Sequence, residues 1–176
     1  MPFGMRVSEV VQAAKVVTDW GKWTNDKMGK NVFPLSKRRG GSLRYGVSHR
    51  WRLIKFSALS ADFRLLVAFR QDVPEFKAHL ALVTGEDLTM LCTWEYHGTH
   101  PGWHFHTCCD DAATITAGMF HPAGMKRLPG SHQPHRRQDY VPASYWAMSE
   151  NAALEVVRDR FRLDPDDLLA FDEAAP

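Results

Sequence analysis

Apolar positions recur with two different periods along this chain, and the change of period divides it. From Val7 to about Trp23 the apolar residues Val7, Val10, Val11, Ala14 and Val17 recur at three and four, the spacing of one face of a helix. Ser8 or the residue before it is placed to cap the first turn. From Arg50 to Cys108 the period is two. It predicts strands over Trp51 to Leu59, Phe63 to Arg70, Phe76 to Thr84, Leu88 to Tyr96 and Trp103 to Cys109. The breaks between them, Ser60-Ala61-Asp62, Asp72-Val73-Pro74-Glu75, Thr84-Gly85-Glu86-Asp87 and Gly98 to Gly102, are short enough for hairpins, so consecutive strands run antiparallel. His97 and His100 then fall in or beside the last turn. Near the C-terminus Ser149 caps a helix carrying Ala153, Leu154, Val157 and Phe161 along one side. Asp164-Pro165-Asp166-Asp167 opens a last short helix through Phe171.

The expected fold class is α+β: an antiparallel β-meander of about five strands with one face covered by an N-terminal helix and C-terminal helices. Alternation assigns Phe63, Leu65, Val67, Phe69, Phe76, Ala78, Leu80, Leu82, Leu88, Met90, Cys92, Trp94, Trp103 and Phe105 to the buried face. It leaves Arg64, Lys77, His79, Thr93, Glu95, His104 and His106 on the other, open one. At 176 residues the chain reads as a single domain, 1–176. Within it lie a basic helix-and-loop front (1–49), the meander (50–109), a loop (112–148) and the C-terminal helices (149–172). The loop carries Pro122, Pro129, Pro134, Pro142, Arg136 and Arg137 with His121, His132 and His135, and long loops in compact domains tend to bind or to close over sites.

Composition narrows the classes. A hydrophobic share of 44% with 24% charged residues is that of a globular chain. No apolar run approaches the roughly 20 residues a membrane span needs, and Arg6, Glu9 and Lys15 interrupt any secretory leader at the start. Three cysteines, two of them adjacent, fit a reducing cytoplasm. The net charge of +2 hides a gradient. Residues 1–60 hold twelve Lys and Arg against three acids, and residues 149–176 hold eight acids against three Arg. The basic front places Lys37, Arg38, Arg39 and Arg44 beside Tyr45, with His49, Arg50, Trp51 and Arg52 following. Charge for phosphates is thus interleaved with rings that stack on bases; a solvated flexible loop is the plainer reading of the same residues.

Chemistry concentrates between Tyr96 and Asp111, where four of the nine histidines and two of the three cysteines fall. His-x-His on a strand suits two chemistries. Both imidazoles can reach one metal, zinc by residue type, with His104, His106, Cys108 and Asp110 as ligands and His97, His100 or His79 as alternatives. Alternatively, no cofactor is required. One imidazole takes the 2′-hydroxyl proton of RNA, the other protonates the leaving 5′ oxygen, and cations steady the phosphorane. Glu95 and His79 are then the orienting or proton-relaying groups, and Arg38, Arg39, Arg44, Arg64, Lys77, Arg136 and Arg137 the nucleic-acid-binding ones.

Two family resemblances bear on this choice. Gly98, His104-Phe105-His106, Asp111 and Gly118 are spaced as in the first signature of the cupin barrels, with Asp111 where cupins carry Glu; that resemblance implies a metal-binding protein. Separately, a meander whose strand ends in Glu95-Tyr96, a Gly-containing turn, His104-Phe105-His106 and a helix opening Ser149-Glu150 resemble the small bacterial TumE-type toxins over residues 76–163. This chain differs from them in its basic front, in about thirty residues between the histidines and the last helix, and in Tyr96-His97 where they have Tyr-Asp. The resemblance implies a toxin acting on an intracellular target and neutralised by an antitoxin, with His104 and His106 as its site. The expectation is an RNA-directed hydrolase or toxin-like nuclease, with RNA and an antitoxin or other protein as partners. The alternatives are a zinc-stabilised nucleic-acid- or protein-binding module without catalysis, and a cupin-like metal-binding protein. The residues alone leave open whether the chain is an enzyme.

Overall fold

The first helical pattern forms less helix than its length predicts. In the computed structural model, which describes residues 6–35, 43–97, 100–107, 126–127 and 147–163, helix α1 spans only Val7–Gln12. Its N-cap is Arg6, whose backbone N–H donates to the Glu9 carboxylate at 2.7 Å. The helix stops because the β-branched run Val16-Val17-Thr18 favours extended backbone and pairs instead as strand β1 (Val16–Asp19). Lys15 lies at the junction, 6% exposed. Its Nζ donates to the carbonyls of Val11 and Ala13 at 3.0 and 2.9 Å, caring for two of the orphan acceptors at the helix end.

The five expected strands follow as β2 (Arg50–Ala58), β3 (Ala61–Phe69), β4 (Glu75–Thr84), β5 (Asp87–His97) and β6 (His100–Thr107). With β1 at one edge and the two-residue β7 (Lys126–Arg127) at the other, they form one antiparallel sheet in chain order. Helix α2 (Glu150–Phe161) is capped as the sequence predicts, Ser149 Oγ accepting from the Ala152 N–H at 3.1 Å. The architecture is therefore an α+β antiparallel meander. Among the described residues no helix is long and apolar enough to cross a membrane. The short helix expected from Asp164 lies outside those residues.

One face of the sheet presents Ile54, Phe56, Phe63, Leu65, Val67, Phe69, Phe76, Ala78, Leu80 and Tyr96 to a single apolar cluster. The same cluster contains Val7, Val10 and Val11 of α1 and Ala153, Val157 and Phe161 of α2. Removing each of its Val, Leu, Ile and Phe side chains from water contributes about 1.5–3 kcal/mol.

The second face is not open along its whole length. The loop of the basic front lays its described residues across it: Phe33, Leu35 and Tyr45, with Met28, pack on Leu66, Ala68, Ala81, Leu88 and Met90. Backbone bonds hold this cover in place, from Met28 N–H to the Tyr45 carbonyl (3.0 Å), Leu43 N–H to Phe33 (3.2 Å) and Leu88 N–H to Pro34 (2.8 Å). Leu88 and Met90 belong here and not to the helix side because the β4–β5 register shifts between Leu80, opposite Cys92, and Ala81, opposite Met90. Leu91 is the extra residue of a β-bulge, and a bulge exchanges the faces of everything before it relative to everything after.

Candidate functional site

That bulge also builds the site. Past Leu91, β5 turns Thr93, Glu95 and His97 to the same face as Glu75, Lys77 and His79 of β4, pairing His79 with Thr93, Lys77 with Glu95 and Glu75 with His97. Strand β6 continues the rows, with His106 opposite Thr93 and His104 opposite Glu95. The register thus gathers Lys77, His79, Glu95, His104 and His106 at one end of one face, as alternation predicts. Arg64 is on that face but farther along, opposite Ala81, and its Nη1 is committed to the Val32 carbonyl at 3.1 Å.

Glu95 is the centre of the cluster. Its Oε1 lies 3.0 Å from His106 Nε2 and 3.5 Å from His97 Nε2. The carboxylate side chain is only 14% exposed while both imidazoles are 25% exposed, so the acid is shielded and the rings reach water. His97 therefore belongs to the end of β5 and to the site, not to the turn where its neighbours Gly98 and Thr99 place it in sequence. Glu75 repeats the arrangement one row away, with Lys77 Nζ 2.9 Å from its Oε1 and His49 Nε2 3.6 Å from its Oε2. Burial works to raise the Glu75 carboxyl, but the bond and charge of Lys77 together with His49 hold it below the ordinary carboxylate range. Burial lowers His49 below the ordinary histidine value against the opposing pull of Glu75.

His79 takes a different place from the one expected. It is 7% exposed, with Nε2 at 2.5 Å from Tyr45 Oη and Nδ1 at 2.7 Å from Thr93 Oγ1. The tautomer protonated on Nδ1 lets the tyrosine donate to Nε2 while Nδ1–H donates to Thr93. Tyr45 is buried beneath its own segment, and burial, then the charges of Glu75 and Glu95, push its phenol well above the ordinary value. His79 thus fixes the cover to the sheet and does not face solvent.

Arg44 is exposed. Arg38, Arg39, Arg136, Arg137, Cys108 and Asp110 lie outside the described residues. Among the described residues no three His, Cys, Asp or Glu side chains are arranged to hold a metal ion. Sequence reasoning gave Glu75 no role and His97 only that of an alternative metal ligand, and read His49 and Tyr45 as part of the basic front. The first two carry a usable signal, since Glu75-x-Lys77-x-His79 and Thr93-x-Glu95-x-His97 each continue a strand's alternation by one step. The other two come from the segment over the face, which no period marks.

Comparison with known proteins finds no match: no family model, no curated protein and no solved structure is similar to this chain.

Proposed function

We propose that this chain is an acid–base ribonuclease whose reacting groups are His104 and His106 at one end of the second face of the sheet, with Glu95 orienting the imidazoles. The observation that carries the reading is the pairing of His106 Nε2 with the shielded Glu95 oxygen at 3.0 Å, with His104 one step along the same face. A carboxylate behind an imidazole fixes its tautomer and ring orientation, which aims the other ring nitrogen for proton transfer. One imidazole removes the proton of a ribose 2′-hydroxyl as that oxygen attacks phosphorus. The other gives a proton to the departing 5′ oxygen, leaving a 2′,3′-cyclic phosphate and a free 5′-hydroxyl. Lys77, on the same face, stands ready to exchange Glu75 for the phosphorane oxygens.

Three further features support this reading: the basic front, the partly exposed imidazoles of His97 and His106 and the TumE-type order of meander, His-x-His and final helix. That resemblance adds an antitoxin as the protein partner. His79 is a positioning residue under this reading, acting through Thr93 and Tyr45. The test is cleavage of a single-stranded RNA by the purified full chain. His104→Ala and His106→Ala should each abolish product while the far-ultraviolet circular dichroism stays that of the parent. Undiminished cleavage in both variants would refute the proposal.

A further inference from the structure

The turn that leads into β2 brings a different set of reacting groups together. The His49 N–H donates to the Gly46 carbonyl at 3.2 Å, which closes a β-turn with Ser48 at its third position and leaves Ser48 exposed. Ser48 Oγ lies 3.0 Å from His49 Nδ1. On the far side of the same ring, His49 Nε2 lies 3.6 Å from Oε2 of Glu75 at the start of β4. One tautomer answers both neighbours: with the proton on Nε2, that N–H faces the carboxylate and Nδ1 offers its lone pair to the serine hydroxyl. The Tyr45 ring packs on the imidazole with centroids 4.8 Å apart and keeps it between the two. Hydroxyl, imidazole and carboxylate in this order make an activated serine, a constellation defined by geometry and roles and not by position in the chain. Burial keeps His49 below the ordinary histidine value, while Lys77 and His49 outweigh burial at Glu75 and hold its carboxyl below the ordinary range. Near neutral pH the base is therefore unprotonated and the carboxylate charged.

Ser48 and His49 open on a cavity of about 270 Å3 that Val47 and Arg50 also line. The exposed Val47 gives it an apolar wall. Arg50, whose Nε donates to Glu150 of α2 at 2.8 Å, gives it a fixed cation. The volume falls just below the roughly 300–1,000 Å3 of pockets for drug-sized ligands, so the acyl group it suits is short. We infer that this turn carries a second active site, a serine hydrolase for short-chain carboxylic esters, with Ser48 as nucleophile, His49 as base and Glu75 positioning the imidazole. Ser48 Oγ bonds to the acyl carbon as its proton passes to His49 Nδ1, and Arg50 steadies the carbonyl oxygen as it gains charge. The bond to the leaving oxygen then breaks, and that oxygen takes the proton from Nδ1. Water repeats the sequence: its proton passes to Nδ1, its oxygen bonds to the acyl carbon, and Ser48 Oγ leaves and recovers the proton. The balance is ester plus water to carboxylic acid plus alcohol. No group in this site is His104 or His106, so it stands or falls apart from the ribonuclease reading.

The experiment treats the purified full chain with an alkyl fluorophosphonate, which loses fluoride to an activated serine and stays bound to it. Mass spectrometry of the tryptic peptide Tyr45–Arg50, in which Ser48 is the only serine, should show the adduct on Ser48. His49→Gln should slow its formation by about 10²-fold or more, the lower end for losing a positioned base. A parent that does not label at Ser48 overturns the site without recourse to any variant, and so does labelling that proceeds as fast in His49→Gln. Hydrolysis of p-nitrophenyl acetate should fall in Ser48→Ala to the rate that free imidazole supplies at the same concentration; turnover that survives the substitution overturns the nucleophile. Glu75 has its own readout. Its charge favours the imidazolium while those of Arg70 and Lys77 oppose it, so in Glu75→Gln the rise of labelling with pH should be centred at lower pH. An unmoved midpoint overturns the positioning role.

Discussion

Tyr45, from the segment that covers the sheet, sets its hydroxyl 2.5 Å from Nε2 of His79, a strand residue 34 positions away. Both side chains are buried, so neither can turn to water if the other is lost. Removing one partner of a buried hydrogen bond costs about 1–3 kcal/mol, because the remaining group keeps its desolvation penalty. Tyr45→Phe should therefore lower the free energy of urea unfolding by that amount with little change in the slope against urea. Equal stability of the two proteins would show that the bond contributes nothing to holding the cover down.

Gly21 and Gly85 share a φ of +63° but differ in surroundings. A Cβ at Gly21 would stand 2.2 Å from the Leu53 carbonyl oxygen, whereas at Gly85 nothing lies within 4 Å. Left-handed backbone alone costs a residue with a Cβ about 1–2 kcal/mol, and that should be the whole effect of Gly85→Ala. Gly21→Ala adds a collision with backbone that cannot swing aside. It should exceed the Gly85 variant by a further ~1–3 kcal/mol, read from the thermal midpoints of the two proteins. Equal losses would mean that β2 can move away from the glycine.

Why some of this was legible and some was not follows from which interactions write a period. The meander from Arg50 to Thr107 could be read because each strand buries alternate residues, and the alternation survives in Phe63-x-Leu65-x-Val67-x-Phe69. Lys77, His79, Glu95, His104 and His106 could be placed on one face by the same rule. The bulge at Leu91 could not, since Leu88, Met90, Cys92 and Trp94 keep an unbroken period-two pattern although the register shifts between them. Both faces of β5 are buried there, so apolar residues suit either parity. The first helix was overread because Val17 satisfies a helical period and a strand equally, and the β-branched run decided for the strand. The described residues of the cover, 28–35 and 43–45, follow no apolar period, so their burial is a tertiary fact that no local pattern announces. His49 and Tyr45 entered the site with it.

Lys15 gives the pH dependence a recognisable component. Burial first, then the charge of Arg162, lowers its pKa from 10.5 to about 8, with Cys92 opposing. In this window the unfolded chain holds the proton that the folded chain releases, so stability should rise as pH increases from about 8 towards 10.5. Below pH 8 both states are protonated and this dependence vanishes. Chemical denaturation at pH 7.5, 8.5 and 9.5 should show the rise in the parent and a smaller one in Lys15→Met. An identical slope in that variant would assign the rise to other groups.

Glu95 tests the division of labour within the proposed site. If its carboxylate orients His106, Glu95→Gln keeps the shape and removes the charge. RNA cleavage should fall, yet by less than the roughly 10²- to 10⁴-fold expected on losing a proton-transfer group in His106→Ala. Because Glu95 also faces His97 at 3.5 Å, Glu95→Gln and His97→Ala combined should lose less than the product of their separate effects, as groups in one network do. The 2′-hydroxyl is the nucleophile in this scheme, so an RNA with a single 2′-deoxy sugar at the scissile position should resist the parent protein completely. Cleavage of that substrate would point to attack by water, and with it to a different role for the Glu95–His106 pair.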